Sequence, residues 1–155
     1  LCSLDSKTVE KYVILLEQSY VIFRLNSFSR NLRNELKTSK KIYFYDNGIR
    51  NALIANFNQI EGRADRGALW ENFLISERKK FLEYNRLWGN SWFWRTKEQK
   101  EIDLVEERDG KITGYEFKWN PDQKVKIPRL FLDSYENSDF QVIHRDNCDS
   151  FLLEY

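Results

Sequence analysis

The stretch from Lys100 to Trp119 constrains this chain more than any other. Glu101-Ile102-Asp103-Leu104-Val105 leads into the turn residues Arg108-Asp109-Gly110-Lys111, and Gly114-Tyr115-Glu116-Phe117-Lys118 follows. Two apolar-alternating runs around an Asp-Gly pair predict a β-hairpin. Successive side chains of a strand point to opposite faces, so Glu116 and Lys118 share one face and Phe117 takes the other. Asp103 lies on the adjacent strand, within reach of the face that carries Glu116. Two carboxylates and one ammonium are therefore expected to converge where the strands meet. Two carboxylates can hold a hard divalent cation, because Mg²⁺ takes one or two of them together with waters and phosphate oxygens. Such an ion polarises a phosphoryl oxygen and activates water. A neighbouring lysine can orient that water or steady the developing charge.

The rest of the composition limits the partners. The length, 155 residues, fits one compact domain or two small ones, and 24 aromatic residues supply a core. Lys and Arg number 25 against 24 Asp and Glu, so net charge points to no partner. Cys2 and Cys148 are the only cysteines and His144 the only histidine, so neither a zinc site nor a disulfide framework is expected. A reduced, cytoplasmic protein is expected from that usage. No apolar run reaches membrane-span length and no signal peptide is visible, so no membrane partner is expected. No G-x-x-x-x-G-K-[ST] phosphate loop is present, so ATP is not expected to bind here by that route. The chain contains no methionine and begins Leu1-Cys2-Ser3, as expected of a fragment of a longer protein.

Along the chain, Asp5 or Ser6 is an N-cap for a helix over 7–19, with an apolar stripe of Val9, Tyr12, Val13 and Leu16. Tyr20 to Leu25 and Lys41 to Tyr45 read as strands, and a short helix follows Asp46-Asn47-Gly48. Helix, strand, loop, strand is the order of a winged-helix unit. Residues 24–50 carry seven basic side chains (Arg24, Arg30, Arg33, Lys37, Lys40, Lys41, Arg50) against Glu35 and Asp46. The segment reads as a basic wing, with Arg30, Arg33, Lys37, Lys40 and Lys41 expected to contact nucleic acid. Of its aromatics, Phe28, Tyr43 and Tyr45, two are expected in the core. A boundary is expected near Gln59 to Arg66. Beyond it come a helix over 67–85, strands over 91–95, 102–107 and 112–119, a helix over 128–135 and a strand over 140–144. Phe151 to Leu153 reads as a further strand. Glu106, Glu107 and Asp109 are expected only to solvate the hairpin. Trp92 and Trp94 share a strand face and are expected to pack on a helix.

The second half thus runs α-β-β-β-α-β. This order, with Asp103 and the Glu116-Phe117-Lys118 triplet, resembles the PD-(D/E)XK nuclease superfamily. The whole chain resembles the C-terminal region of a prokaryotic AAA+-type ATPase family. That resemblance rests on Thr8-Val9-Glu10-Lys11-Tyr12 with Leu15-Leu16-Glu17, on Lys41-Ile42-Tyr43-Phe44-Tyr45-Asp46-Asn47-Gly48 and on Gly67-Ala68-Leu69-Trp70-Glu71-Asn72-Phe73. It rests also on Glu101-Ile102-Asp103 and Glu116-Phe117-Lys118. The resemblance implies an α+β fold, with a winged-helix-like subdomain over 1–60 and a nuclease-like domain over 61–155. It implies that ATP binds only in an N-terminal domain that this chain lacks. Glu71 matches the acidic residue of the first core helix, Asp103 the first strand carboxylate, and Glu116 with Lys118 the E-x-K pair. Ile102 stands where the signature has proline.

Three functions follow as expectations. In the first, Glu71, Asp103 and Glu116 bind Mg²⁺ or Mn²⁺, Lys118 positions water, and the module is a phosphodiesterase fused to an ATPase. In the second, the nuclease-like fold only recognises nucleic acid or a protein and couples it to the ATPase. In the third, an aromatic surface near Trp88, Trp92 and Trp119 serves oligomerisation.

Overall fold

The computed structural model describes residues 4–30 and 39–153 of the protein. Among them, five α-helices and six strands form a mixed α+β fold with two sheets. Helix α1 (Ser6–Gln18) starts at Asp5, whose carboxylate accepts from the Lys7 and Thr8 backbone N–H groups at 2.9 Å each. It ends where Tyr20 turns left-handed (φ 54°) and the Val21 N–H reaches back to the Leu16 carbonyl. That turn delays the first strand to Ile22. Strands β1 (Ile22–Asn26) and β2 (Lys40–Phe44) pair antiparallel, with Phe23 opposite Tyr43 and Leu25 opposite Lys41. Helix α2 (Asn47–Leu53) and a 3-10 turn (Ile60–Gly62) lead to α3 (Arg66–Tyr84).

Strands β3 (Asn90–Arg95), β4 (Glu101–Arg108) and β5 (Lys111–Phe117) form an antiparallel meander. Asp109 and Gly110, both left-handed, make the β4–β5 turn. Helix α4 (Arg129–Ser134) crosses over to β6 (Ser138–Ile143), which lies parallel to β5. The sheet order is β3-β4-β5-β6. The element order read from the sequence over this half is the one found. The exception is the last segment, where the strand expected at Phe151–Leu153 is instead helix α5 (Cys148–Leu153). Three apolar residues set no period. Here the Phe151 ring packs on Tyr115 and Phe117, 4.9 and 5.5 Å between centroids.

Each face of the sheet has its own core. One holds Trp70, Leu74 and Ile75 of α3 with Leu104, Tyr115, Phe117 and Phe151. Phe23, Leu25 and Tyr43 of the N-terminal hairpin belong to that same cluster. The segments 1–60 and 61–155 therefore share a core rather than each building one. The other face holds Trp94, Ile102, Val105 and Ile112 under Phe131 of α4, with Phe28 and Tyr135 beside them. Phe28 and Tyr43 are buried, as expected for two of the three wing aromatics. Trp94 meets Phe131 edge-on, and Trp92 rests on Phe28. A bridge joins the end of β1 to β3, where the Phe28 N–H donates to the Phe93 carbonyl at 2.6 Å. The α1 stripe covers little: Val9, Tyr12 and Leu16 are exposed and only Val13 is half-buried.

Gly114 sets how closely α4 approaches the sheet. A Cβ there would stand 3.2 Å from Ile102 Cγ2 and 3.3 Å from Phe131 Cε1. Gly114→Ala is expected to cost about 1–3 kcal/mol through overpacking. The urea midpoint of the variant measures it, and an unchanged midpoint would show that α4 shifts freely.

Candidate functional site

The site begins with a lysine on the wrong side of a hairpin. Lys41 stands opposite Leu25 and two residues before Tyr43, so it lies on the inward face of the β1–β2 ribbon. Its stem crosses the buried Phe93 ring, with Nζ 5.5 Å from the centroid. An inward lysine needs anionic partners, because an unpaired buried charge is costly. Lys41 Nζ finds three: Glu71 Oε1 of α3 at 2.9 Å, Glu101 Oε1 of β4, and Asp103 Oδ1 at 3.7 Å. Tyr43 adds its hydroxyl, donating to Glu71 Oε1 at 2.6 Å.

Helix α3 docks on β2 through adjacent residues. While Glu71 takes Lys41 and Tyr43, Asn72 pairs with the Phe44 backbone in both directions. The Phe44 N–H donates to Asn72 Oδ1 at 2.8 Å, and Asn72 Nδ2 donates to the Phe44 carbonyl at 2.9 Å. This gives the Gly67–Phe73 motif a physical role: it latches the helix to the edge of the hairpin.

Asp103 owes its placement to an irregularity. Trp92 is opposite Val105, yet Trp94 is opposite Ile102, so Phe93 faces Asp103 and Leu104 together. Such a bulge re-aims a side chain. Asp103 Oδ2 accepts the Phe117 N–H at 2.9 Å, and its side chain is 14% exposed. Burial, and then the nearby Glu71 and Glu116 charges, raise its pKa to about 7, against the pull of Lys41. Burial works against the Lys41 charge, but Glu71, Asp103 and Glu101 together hold its pKa above the usual value. Burial and the Glu71 charge push the Tyr43 hydroxyl pKa up as well, so it stays a donor.

Glu116 departs from this group. It shares a sheet face with Gly114, against which α4 packs, whereas Glu71 approaches from α3 on the other face. Glu116 pairs instead with Lys118 at 2.6 Å. Lys118 lines a cavity of about 280 Å³ together with Glu71 and Asp103. Thus Glu71, Asp103 and Lys118 border one space, and Glu116 lies around the sheet margin. Among the described residues, no group of three or more His, Cys, Asp or Glu side chains is arranged to hold a metal ion. The space among Glu71, Glu101 and Asp103 contains an ammonium, and one Asp103 oxygen is engaged by backbone. As arranged, these residues do not fit a divalent cation.

Among the described residues, four of the expected wing's cations are neutralised. Arg24 pairs with Glu10 and Glu17, Arg30 with Glu107, and Arg50 with Asp65 at 2.7 Å. Lys41, expected beside nucleic acid, faces the carboxylates. Lys40 is exposed, while Arg33 and Lys37 lie outside the described residues. Glu106 also departs from its expected role: it is 5% exposed and pairs with Arg78, whereas Glu107 and Asp109 lie nearer the surface. The sequence reading missed Lys41, Tyr43 and Glu101 as members of the site. Their signal was the same two-residue spacing used for Glu116 and Lys118: Lys41 with Tyr43, and Glu101 with Asp103.

A pH prediction follows from Asp103. Its folded pKa lies above the ordinary carboxylate value, so between about pH 4 and 7 the folded state holds a proton that the unfolded chain lacks. This favours the folded state at low pH, and the gain is lost as pH rises through 7. Asp103→Asn, neutral at every pH and still an acceptor for Phe117, is expected to melt above the parent at pH 8. The difference should narrow as pH falls below 7 and close near pH 4. Thermal melts across that range measure it, and a variant less stable at pH 8 would contradict it.

Comparison with known sequences gives families without assigned functions. Residues 1–60 match a domain of unknown function (DUF8612), and residues 66–148 match another (DUF4143). The uncharacterized proteins Rv2008c of Mycobacterium tuberculosis and Mb2031c of Mycobacterium bovis are each 29% identical over 113 residues. That stretch is 72% of this chain and 25% of each relative, so the match spans about a quarter of their length. No solved structure matches. The DUF4143 match covers more than half of the chain and contains α3, the whole four-stranded sheet, Glu71, Glu101, Asp103, Glu116 and Lys118. The chain therefore belongs to the DUF4143 family, a domain of unknown function.

Proposed function

We propose that this chain is a nuclease-like, nucleic-acid-associated module of an AAA+-type ATPase that acts by binding rather than by metal-dependent cleavage. One observation carries the choice: Lys41 Nζ stands among Glu71, Glu101 and Asp103, so an ammonium balances the carboxylates from which a metal site would have to be built. The nuclease-like part of the reading is supported by the order α3-β3-β4-β5-α4-β6, with a parallel last pair of strands. It is supported too by the acidic residue on α3 and by the E-x-K pair on β5. The winged-helix reading draws on the order α1-β1-β2-α2 alone. Association with an ATPase rests on the sequence resemblance, and the greater length of the relatives leaves room for that domain.

A phosphodiesterase reading keeps one observation, the cavity that Glu71, Asp103 and Lys118 share. It requires Lys41 to leave. The test is fluorescence anisotropy of labelled oligonucleotides with EDTA, Mg²⁺ or Mn²⁺, followed by a gel of the same samples. The proposal expects salt-sensitive binding that EDTA leaves unchanged, with the strand intact. Metal-dependent cutting that disappears in both Asp103→Asn and Lys118→Ala would overturn it in favour of the enzyme.

A further inference from the structure

Arg24, Arg30, Lys41 and Arg50 of the expected wing are paired, and a second group of cations, without acidic partners among the described residues, lies after β5. From Lys118 to Arg129 the chain carries Lys118, Lys124, Lys126 and Arg129 against Asp122 alone. After β5 it crosses to α4 through 123–128, without helix or ladder. Lys124 and Lys126 are two apart in this segment and both exposed, and Arg129 opens α4, also exposed. None of these three has a carboxylate partner among the described residues. By contrast, Glu101 and Glu116, which line the same cleft as these cations, are engaged by Lys41, Arg95 and Lys118.

These cations border a cleft of about 550 Å³, which Lys100 and Lys118 also line. Lys118 and Gln123 face both this cleft and the cavity of Glu71 and Asp103. Positive charge therefore runs from the rim of the acidic centre to the start of α4. The cleft also has apolar lining: Ile127 is 65% exposed there, with Val125, Leu130 and Phe140 partly buried beside it. A row of cations beside apolar surface suits a phosphodiester backbone whose bases need a non-polar contact. An acidic peptide would use the cations and leave the apolar lining unsatisfied.

We infer that this cleft, with Lys124, Lys126 and Arg129 as its contacts, is where a single nucleic-acid strand lies on the module. The inference rests on the nucleic-acid reading above and locates it away from the 24–50 segment. The experiment is anisotropy with labelled oligothymidylate across a salt series. It compares the parent, the Lys124→Ala/Lys126→Ala/Arg129→Ala variant and a Lys7→Ala/Lys11→Ala/Lys80→Ala control of equal charge change. Three lost phosphate contacts should lower the slope of log K against log salt by about 2, roughly a hundredfold weaker binding near 0.1 M salt. The control should bind like the parent.

A cleft variant that binds as the parent does, or a control that weakens equally, would overturn the cleft and leave the nucleic-acid reading standing. No binding by the parent at low salt would overturn both. Polyglutamate competing as well as the oligonucleotide would overturn the assignment to nucleic acid.

Discussion

Replacing Arg78 by methionine is expected to lower the free energy of unfolding by about 3–5 kcal/mol, the cost of leaving one charge of a buried pair without its partner. The Arg78 and Glu106 side chains are 7% and 6% exposed. Arg78 Nε and Nη2 each donate to a different Glu106 oxygen at 3.1 Å, a two-pronged geometry that lysine could not reproduce. Nη1 donates to the Phe151 carbonyl at 2.6 Å, so one guanidinium ties α3 to β4 and α5. Its plane also lies near the Phe151 ring, 5.0 Å from the centroid. Arg78→Met/Glu106→Leu should recover much of the loss, because the stranded carboxylate is then gone. Urea denaturation of the three proteins measures both effects. Arg108 Nη2 stands 3.4 Å from Glu106 Oε2, and a loss below about 1 kcal/mol in the single variant would show that Arg108 alone suffices to hold the carboxylate.

The second large effect concerns Lys41. Lys41→Met keeps the apolar stem and removes the charge, which leaves Glu71, Glu101 and Asp103 facing one another at the end of β2. Like charges packed together disfavour ionisation, so this variant should be markedly destabilised at pH 8 and recover as pH falls. It should also acquire a response the parent lacks. A ligand bound only by the folded state raises the melting temperature, and with the ammonium gone the three carboxylates are expected to rearrange around Mn²⁺. Melting with and without millimolar Mn²⁺ is the check: an upward shift in Lys41→Met and none in the parent is expected. If the variant melts like the parent and ignores Mn²⁺, Lys41 is not the cation that holds this site.

Much of the fold was legible because its elements announce themselves locally. The β4–β5 hairpin has alternation and an Asp-Gly turn, and both strands formed where that pattern lies. Helix α3 carries enough turns for its period to stand out, and Pro121 and Pro128 punctuate the crossover. What was illegible depended on tertiary contact. The β4 bulge at Asp103 and Leu104 leaves no mark on the sequence, yet it decides where Asp103 points. Lys41 sits in a basic stretch and reads as wing, until Leu25 opposite it shows which face of the ribbon is buried. Glu106 reads as hairpin solvation, since its partner is 28 residues away on another element. Helices α1, α2 and α3 all stop at a left-handed residue that is not glycine, Tyr20, Ala55 and Arg86, so their ends carried no glycine signal. The candidate site was thus half visible: Glu71, Asp103 and Lys118 border one space as the pattern suggested, but the cation among the acids came from a strand assigned to another task.

The most direct test of the account is a calorimetric titration of Mn²⁺ into the parent protein and into Lys41→Met at pH 8. The account predicts no saturable heat from the parent, whose acidic centre already holds an ammonium, and saturable binding by Lys41→Met that Asp103→Asn, added to it, removes. Saturable binding by the parent, abolished by Asp103→Asn, would contradict the account and return the site to metal-dependent chemistry.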